Sequence, residues 1–403
     1  MHILLIHQVF TRLSDAGGTR HAEFARHLAA RGHRVTVVSG ERSYLTGESL
    51  GAPRREQLEP GVVVIRTPVR GGGQRTWPSR SAGFLSFMIS AFRAGLRVPA
   101  VDLVWGTSPP LQQAVSAWAV AAARRVPWVF EVRDLWPEFA VAVGVLRNPL
   151  WIAIARWWES FLYRHADRLI VNSPAFTAHL VSRGAEAARI VSIPNGVDPG
   201  MFDPQADGAD FRRRHGMEGK FVALYAGAHG LSNDLTVLLQ AAEKLMDEPQ
   251  IVVALVGDGR EKPALVAEAS RRGLANVRFL PAQPKSAMGT VLAAADCGIA
   301  ILKAIRAYRT TYPNKVFDYM AAGRPVVLAI DGAVREVVEA ARAGVAVPPG
   351  DAAALAEAVR RLARDRDQAR AMGRNGREHV VAHFSRAALA QTLEATLQSV
   401  GGG

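Results

Sequence analysis

Short apolar runs alternate with amphipathic segments along the first half of the chain. The run HILLIHQVF is followed by the loop TRLSDAGGTR, a segment of helical period that stops at Gly32, and the run RVTVVSG. This order predicts a βαβ unit, because parallel strands need a crossover connection and a helix usually supplies it. Further strands are predicted at VVVIRT, VDLVWG, PWVFEV and RLIVNS, with helices at residues 111–125 and 150–165.

A polar, charged segment, residues 203–220, separates this series from a second one. The second series predicts strands at FVALYAG, IVVALVGDG, VRFL, CGIAIL, RPVVLAI and GVAVPP. Helices are predicted at residues 235–246, 262–272 and 287–295, with one more near residue 314. We therefore predict an α/β protein with two tandem Rossmann-like, doubly wound domains, residues 1–198 and 199–380. Residues 381–403 have helical spacing, and we expect this helix to pack back on the N-terminal domain.

Glycines occupy the loops that follow three of the predicted strands. Gly17 and Gly18 follow the first strand, Gly227 follows FVALYA, and Gly257 and Gly259 follow IVVALV. Open α/β sheets bind ligands outside the carboxyl ends of their strands, so two such sheets predict an interdomain cleft with glycine loops on both walls. The spacing is not the G-x-G-x-x-G dinucleotide fingerprint, which argues against a dehydrogenase. Tight turns explain the individual glycines equally well.

The stretch TTYPNKVFDYMAAGRPVVL contains a cation at an unfavourable place. Pro313 and Asn314 predict a helix start, and Asn314 is a candidate cap, so Lys315 falls on the first turn. The helix dipole makes that end positive, and a lysine there predicts a bound anion such as a diphosphate. Asp318, three residues later, is a candidate to accept hydrogen bonds from ribose hydroxyls. The alternative is a solvent-exposed ion pair between Lys315 and Asp318.

Charge is distributed unevenly over the 403 residues, whose formal net charge is +13. Residues 1–200 contain 23 Arg, no Lys and 14 Asp or Glu, so they carry +9, whereas residues 201–403 carry +4. This excess indicates an anionic partner, either nucleic acid, an acidic membrane or phosphorylated substrates, or it reflects an arginine-rich composition. Residues 75–97 mix aromatic side chains with four arginines. They predict peripheral contact with an anionic membrane, or a helix packed on its own sheet.

The chain has no run long and apolar enough for a membrane span, and its first residues lack the features of a signal peptide. We therefore expect a cytoplasmic protein that acts at the inner face of the cell membrane. The single cysteine, Cys297, excludes an internal disulfide and a cysteine-based metal cluster, and it is expected to be a small buried side chain.

Five motifs follow one another along the chain: VNSPAF…IVSIPNGVD, YAGAHGLSNDLTVLLQAAEKL, VALVGDGREKPAL, YPNKVFDYMAAGRPVV and AVREVVEAARAGVAVPPGD. In this order they resemble the retaining family 4 glycosyltransferases, which have the GT-B fold. The elements IHQVF, TSPP and RDLWP also resemble the fucosamine-transferase-like subgroup of bacterial surface polysaccharide assembly. The resemblance covers nearly the whole chain. It implies transfer of a sugar from a nucleotide diphosphate sugar, with UDP the expected carrier, and with retained anomeric configuration.

The resemblance also assigns donor-binding residues. Asp318 stands where the family has the second Glu of its Glu-x7-Glu motif, and Thr310 stands at the first, so Thr311 or Tyr308 is a candidate substitute. The family's Arg and Lys pair after YAG is missing. Lys315, Arg309 and His229 are left to neutralise the diphosphate. The donor-site set is completed by the glycines above together with Asn233 and Asn314.

On the acceptor side, Arg133 and Asp134 align with the family's His and Asp. Asp134 is a candidate to orient the acceptor or to stabilise positive charge on the sugar ring, and Arg133 is a candidate phosphate ligand. The alternative is a buried Arg133–Asp134 ion pair. Glu138 is a second acceptor candidate, and His7 is either a catalytic-site residue or a core histidine. We predict no metal and no cofactor.

Two other functions share parts of this pattern. A nucleotide-sugar 2-epimerase has the same fold and donor type, but the order of the C-terminal motifs favours transfer. A non-catalytic binder of an anionic polymer would rest on charge alone. Nucleic acid is not expected, because basic and aromatic residues do not interleave as they do in single-strand grooves. The expected partners are a nucleotide sugar and a glycan, lipid-linked or small-molecule acceptor.

Overall fold

A computed structural model describes residues 1–42, 49–70 and 77–401, without the side chains of residues 77–81. The chain forms two compact units. Unit 1 comprises Met1–Arg12, Thr19–Pro194 and Ala387–Gly403, and unit 2 comprises Leu13–Gly18 and Asn195–Arg386. These limits lie a few residues from the predicted domain limits. They also assign the loop with Gly17 and Gly18 to unit 2, whereas the sequence analysis included it in the N-terminal domain.

Unit 1 is built on a sheet of eight strands in the order β3-β4-β2-β1-β5-β6-β7-β8. The strands are β1 (His2–Ile6), β2 (Arg34–Gly40), β3 (Arg55–Glu59), β4 (Val62–Thr67), β5 (Leu103–Ser108), β6 (Trp128–Val132), β7 (Arg168–Val171) and β8 (Ile190–Ser192). All neighbouring strands are parallel except β3 and β4. Two edge strands were not predicted from the sequence: β3, whose sequence REQLE is polar, and β8, which is only three residues long.

Helices cover both faces of this sheet. They are α1 (Arg20–Ala30), α2 (Trp77–Arg97), α3 (Leu111–Arg124), α4 (Glu138–Ala142), α5 (Pro149–His165), α6 (Thr177–Ser182) and α15 (Arg386–Gly401). Side chains of β1 alternate between two cores. Leu4 and Ile6 pack with α2, α3, α5 and α6, whereas Ile3 and Leu5 pack with α1 and α15. The Asn148 side chain caps α5 by accepting hydrogen bonds from the backbone N–H groups of Leu150 and Trp151.

Unit 2 has a fully parallel sheet of six strands in the order β11-β10-β9-β12-β13-β14. The strands are β9 (Phe221–Ala226), β10 (Ile251–Val256), β11 (Val277–Leu280), β12 (Cys297–Ile301), β13 (Val326–Ala329) and β14 (Gly344–Ala346). The helices are α7 (Ala209–Arg214), α8 (Leu235–Glu243), α9 (Lys262–Arg271), α10 (Met288–Ala293), α11 (Asn314–Ala321), α12 (Ala333–Ala340), α13 (Ala352–Arg364) and α14 (Arg366–His383). Cys297 is fully buried in this sheet, as predicted.

The carboxyl ends of β9, β10 and β12 bring the glycine loops and the start of α11 together. On α11, Val316, Phe317 and Met320 are fully buried in the core. Lys315 and Asp318 lie on the other side of the helix. Among the described helices, none combines the length and the apolar composition that crossing a membrane requires.

Candidate functional site

Lys315 lies on the first turn of α11 with no partner for its charge. Its Nζ atom is buried and forms no hydrogen bond to any group in the described part of the chain. The ammonium sits 3.7 Å from the centroid of the Tyr225 ring, whose face attracts cations. Burial lowers the pKa of Lys315 to about 7. The structure therefore holds a destabilised cation at the positive end of a helix, as the sequence predicted.

Asn314 begins the helix and does not cap it. Pro313 occupies the capping position and its side chain cannot accept from the first backbone N–H groups. Among these groups, the N–H of Val316 donates to the Pro313 carbonyl at 3.2 Å, and the described contacts give no acceptor for the N–H groups of Asn314 and Lys315. The Oδ1 atom of Asn314 is buried without a partner in the residues that the structure describes. The prediction of an Asn314 cap was wrong because Pro313 ends the extended segment one residue earlier. Unsatisfied N–H groups and the Lys315 ammonium together form a candidate anion site.

Three glycines allow the loops around Lys315 to pack closely. Gly227, Gly257 and Gly259 have φ values of 148°, 153° and 154°, which L-residues rarely adopt. A Cβ atom on Gly227 would lie 2.8 Å from Lys315 Nζ, and one on Gly257 would overlap the carbonyl oxygen of Gly227. These glycines are therefore required by close approach of backbone and lysine as well as by turn geometry.

Gly257→Ala is expected to lower the free energy of unfolding by roughly 3 kcal/mol or more, because backbone strain and overlap add together. Gly219→Ala provides a matched control, since Gly219 also has a positive φ, 67°, but a Cβ there meets no atom within 4 Å. That variant should lose only about 1 kcal/mol. Urea unfolding of both variants measures the difference. Equal losses would show that the loops can separate freely.

His229 is fully buried beside these glycines. Its backbone N–H donates to the Asp258 carbonyl at 2.8 Å, and both ring nitrogens lack partners in the described residues. Burial, aided by Lys262 and Lys315, lowers the pKa of His229 to about 4. The ring is therefore neutral near pH 7, which corrects the expectation that His229 supplies positive charge. A neutral imidazole can still donate one hydrogen bond to a ligand.

Asp318 is paired with a lysine that the sequence analysis did not consider. Lys285 Nζ lies 2.6 Å from Asp318 Oδ1, so the predicted alternative of a Lys315–Asp318 pair is wrong. The loop before α1 adjoins this pair within unit 2, because the backbone N–H of Lys285 donates to the Asp15 carbonyl at 3.3 Å. A Cβ on Gly18 would approach the Asn314 side chain at 4.0 Å, and Gly17 has a positive φ of 143°.

The remaining donor-site candidates surround a short 3₁₀ segment, Arg306–Thr310. Arg309 is exposed, and the Thr310 and Thr311 hydroxyls donate to the carbonyls of Ala307 and Tyr308, each at 2.8 Å. Nearby, the Tyr308 hydroxyl donates to Ser232 Oγ at 2.5 Å. Asn233, the next residue, ends another 3₁₀ segment, Leu231–Asn233.

In unit 1, Arg133 is held by groups at the ends of β1 and β5. Its Nε donates to Thr107 Oγ1 at 2.9 Å and to the Ser108 carbonyl at 3.2 Å, and Nη2 lies 3.2 Å from His7 Nε2. His7 is buried, and burial with the adjacent His21 and Arg133 holds its pKa well below the usual value. Since Arg133 must donate, the neutral His7 accepts at Nε2 and carries its proton on Nδ1.

Asp134 is the only predicted acceptor residue without a partner for its side chain in the described residues. Burial raises the pKa of Asp134 to about 6, although Arg133 opposes this shift. The alternative of a buried Arg133–Asp134 ion pair is not borne out, because the described contacts contain no hydrogen bond or ion pair between the two side chains and Arg133 acts on Asp134 only through its charge. Glu138, by contrast, accepts from Arg156 at 3.0 Å and from Arg183 at 2.7 Å, which helps lower its pKa against the effect of burial. Glu138 is therefore committed to an ion-pair network in this structure.

A buried charge cluster beside His7 was not found from the sequence. Glu131, fully buried on β6, accepts from Arg20 Nε at 2.7 Å and from His21 Nε2 at 2.5 Å. Burial works to raise the pKa of Glu131, but His21 and Arg20 hold it well below the usual value. Arg20 also donates to the carbonyls of Ile193 and Pro194. The cluster fixes the start of α1 and the His21 ring, whose centroid lies 4.3 Å from that of His7.

Both halves of the chain match protein families. Residues 16–196 match the glycosyl transferase 4-like domain, and residues 208–379 match the glycosyl transferases group 1. The chain is a glycosyltransferase that combines these two domain types. The two matches divide the protein near the change between units 1 and 2, and the second includes β9–β14 and α11.

This glycosyltransferase is similar to the putative colanic acid biosynthesis glycosyl transferase WcaI of Escherichia coli K12, with 26% identity over 317 residues, 76% of this chain and 77% of the relative. Its fold resembles sucrose-phosphate synthase from Thermosynechococcus elongatus, with a TM-score of 0.80, 23% identity and coverage of 100% and 99% of the two chains. Anabaena HepE, solved with UDP-glucose, gives a TM-score of 0.74, 20% identity and coverage of 99% and 100%. The predicted fold class, two Rossmann-like domains with parallel sheets, is confirmed.

Proposed function

We propose that this glycosyltransferase transfers a hexosyl group from a UDP-linked sugar with retention of anomeric configuration. The observation that supports the proposal most directly is the buried Lys315 ammonium, which has no partner in the described residues and lies at the start of α11. A diphosphate placed there would accept hydrogen bonds from the ammonium and from the free backbone N–H groups. The UDP-glucose complex of HepE supports the choice of nucleotide.

The other donor contacts follow from the residues around Lys315. Gly227, Gly257 and Gly259 leave room for the diphosphate beside the backbone, and His229 offers a neutral hydrogen-bond donor. Asp318 accepts from the ribose hydroxyls, with Lys285 holding its carboxylate in place. Arg309, exposed on the 3₁₀ segment, supplies the second positive charge that the missing family arginine would have given.

The reaction forms one bond and breaks one. The acceptor hydroxyl oxygen bonds to the anomeric carbon, and the bond from that carbon to the diphosphate oxygen breaks. The acceptor proton passes to the leaving phosphate on the same face of the sugar, so no protein base is required. Lys315 stabilises the negative charge that grows on the diphosphate in the transition state, and we propose that no metal takes this role.

We propose that unit 1 binds the acceptor, with Asp134 and Arg133 as its main contacts. Arg133 is presented by Thr107, Ser108 and His7 in a fixed orientation, which suits a phosphate or carboxylate on a lipid-linked or glycan acceptor. We further propose a role in bacterial surface polysaccharide assembly, in the fucosamine-transferase-like subgroup that the IHQVF, TSPP and RDLWP elements resemble. The similarity to WcaI, a putative glycosyl transferase of colanic acid biosynthesis, is in line with a polysaccharide role.

The direct test is a transfer assay with a panel of UDP-sugars, followed by NMR of the product's anomeric proton. We expect that UDP is released only when an acceptor is present. We also expect that a donor with an α-linked sugar gives an α-linked product. A product with inverted configuration would contradict retention. Release of a free 2-epimeric sugar without acceptor would instead identify an epimerase.

Donor binding is expected to weaken as pH rises above 7. Free Lys315 has a pKa of about 7, and a bound diphosphate would raise it, so the protonated form binds more tightly. The affinity for UDP-glucose should therefore be constant near pH 6 and fall roughly 30-fold by pH 8.5. UDP-glucose is the suitable ligand because a diphosphate diester has no proton to lose in this range. Calorimetry at pH 8 in two buffers should also detect proton uptake.

The same titrations with Lys315→Met separate this effect from other groups. The variant has no ammonium to protonate, so its weaker affinity should not change between pH 6 and pH 8.5. His229, with a pKa of about 4, does not titrate in that window. An equal pH dependence in both proteins would assign the effect to a different residue.

Contact of residues 75–97 with an anionic membrane remains a prediction. Residues 75 and 76 and the side chains of residues 77–81, Trp77 included, lie outside the described part of the chain. In the rest of α2, Phe87 and Ala91 are buried against the sheet, whereas Leu85, Ile89 and Leu96 are exposed. The helix thus packs on its sheet and presents apolar side chains outward.

A further inference from the structure

Exposed apolar side chains in unit 1 are concentrated on one helix layer. Among the described residues, the large hydrophobic side chains exposed in unit 1 are Leu85, Ile89, Leu96, Val145, Leu150, Trp151, Trp157 and Val181. They lie on α2, α5, α6 and the segment before α5, whose buried sides share one core. In the same described set, α1 and α15 on the opposite face contribute none. Such one-sided exposure indicates an interaction surface.

Helix α5 carries the most exposed part of this surface. Leu150, Ile154, Trp157 and Phe161 recur at spacings that place them on one side of a helix. The exposed fractions of Leu150 and Trp157 are 65% and 62%, and that of neighbouring Trp151 is 53%. The Trp157 ring stacks on Phe161 with 5.6 Å between centroids, so the row of aromatic side chains is ordered.

Arginines border these aromatic side chains. Arg156, Arg164 and Arg183, together with Trp157 and Phe161, line a cavity of about 300 Å³. Arg156 and Arg183 hydrogen-bond to Glu138, and Arg183 lies 3.3 Å from Glu159, whereas Arg164 is exposed. Three guanidinium groups thus face two carboxylates, which leaves the cavity positively charged. An occupant that complements it is apolar on one side and anionic at its edge.

We propose that the α5 surface, defined as Leu150, Trp151, Trp157 and Phe161 with Arg156 and Arg164, docks on an anionic lipid bilayer. Tryptophan side chains favour the depth of the headgroups, and arginines pair with lipid phosphates at the same level. The uneven charge of the chain, +9 within residues 1–200, supports an anionic occupant. The exposed residues of α2 extend the surface, because α2 packs on α3 and α3 packs on α5.

A second copy of the chain fits this surface less well than a bilayer. In a two-fold interface the same patch meets itself, so the arginines of one copy would face those of the other. Like charges brought together in that way oppose association. A bilayer instead offers hydrocarbon for the indole rings and phosphates for the guanidinium groups. The proposal does not depend on glycosyl transfer, and its test can fail while the donor site is confirmed.

Vesicle co-sedimentation of the full chain tests the proposal. We expect binding to phosphatidylcholine vesicles that contain about 30% phosphatidylglycerol, weak binding to pure phosphatidylcholine, and release at high salt. Trp151→Ser with Trp157→Ser should lower the partition coefficient about tenfold or more, and Arg164→Gln should lower it for anionic vesicles only. The control is Met246→Ser with Val266→Ser, two exposed apolar residues of unit 2, which should bind like the unchanged protein.

Tryptophan fluorescence and UDP-glucose affinity provide two further measurements on the same proteins. Quenching of tryptophan fluorescence by brominated lipid in the unchanged protein should disappear in the double tryptophan variant, and UDP-glucose affinity should be retained there as a check of folding. Equal vesicle binding by that variant and the control would overturn the proposal. A concentration-dependent dimer that the tryptophan variant abolishes, without vesicle binding, would also overturn it and assign the surface to self-association.

Discussion

Lys315→Met is expected to weaken UDP-glucose binding roughly 100-fold while leaving the protein folded. The substitution removes the charge but keeps an apolar chain of similar length against Tyr225. The lost free energy is that of a charge-assisted hydrogen bond in a buried place, where water does not compensate. Isothermal calorimetry at pH 6.5, where Lys315 is mostly protonated, measures the effect.

As the pH rises, the free energy of unfolding should increase, whereas the affinity for UDP-glucose should decrease. The pKa of Lys315 is lowered on folding, so the unfolded chain binds more protons between pH 7 and 10.5, and stability rises with pH through that window. The Met variant avoids burying an ammonium, so at pH 7 its urea midpoint should equal or exceed that of the unchanged protein. Lys244→Met, at an exposed lysine, is the matched control and should alter neither property. Full UDP-glucose affinity in Lys315→Met would refute the donor-site assignment.

Asp134→Asn is expected to lower turnover by roughly 10²- to 10³-fold with little change in UDP-glucose affinity. The change keeps the shape of the side chain and removes the negative charge with which, we propose, Asp134 orients the acceptor for attack. In the unchanged protein the rate should fall as pH drops through about 6, because the pKa of Asp134 is raised to about 6 by burial. Steady-state kinetics from pH 5 to pH 8 measure both effects.

Glu138→Gln separates the two acceptor candidates. Glu138 is held by Arg156 and Arg183, so its loss should reduce stability by about 1 kcal/mol or less and leave turnover within a few-fold. Comparable losses of turnover in both variants would mean that Glu138 leaves its ion pairs to contact substrate. Normal turnover in Asp134→Asn would remove that residue from the proposed mechanism.

Most of the fold was predictable because hydrophobic pattern and position in the sheet agree. Buried parallel strands such as β1, β9 and β10 are continuous apolar runs, and the helices between them have clear starts and stops. Strand β3 was missed because an edge strand with one exposed side need not be apolar. The assignment of Leu13–Gly18 to unit 2 could not be predicted either, because it depends on contacts with a segment far along the chain.

Features of the candidate site that follow from neighbouring residues in the sequence could be predicted. Features that depend on a partner far along the chain could not. Lys315 was found because a cation at a helix start conflicts with the dipole. The partner of Asp318 was not found, because Lys285 lies 33 positions away and no spacing rule connects the two. The sequence also did not indicate that His229 is buried, and burial lowers its pKa so that the ring is neutral. Glu131 could have been singled out as a charged residue inside an apolar strand, which usually means a buried partner.

The last helix of the chain has a consequence for biosynthesis. Leu389, Leu393 and Leu397 of α15 complete a core to which β1, β2 and α1, at the opposite end of the sequence, contribute together with β4, β5, β6 and β7. The sheet of unit 1 is therefore synthesised well before the helix that completes its core, with residues 195–386 of unit 2 made in between. Translation should leave this sheet partly uncovered until α15 has been synthesised, and chaperones are expected to protect it during that interval.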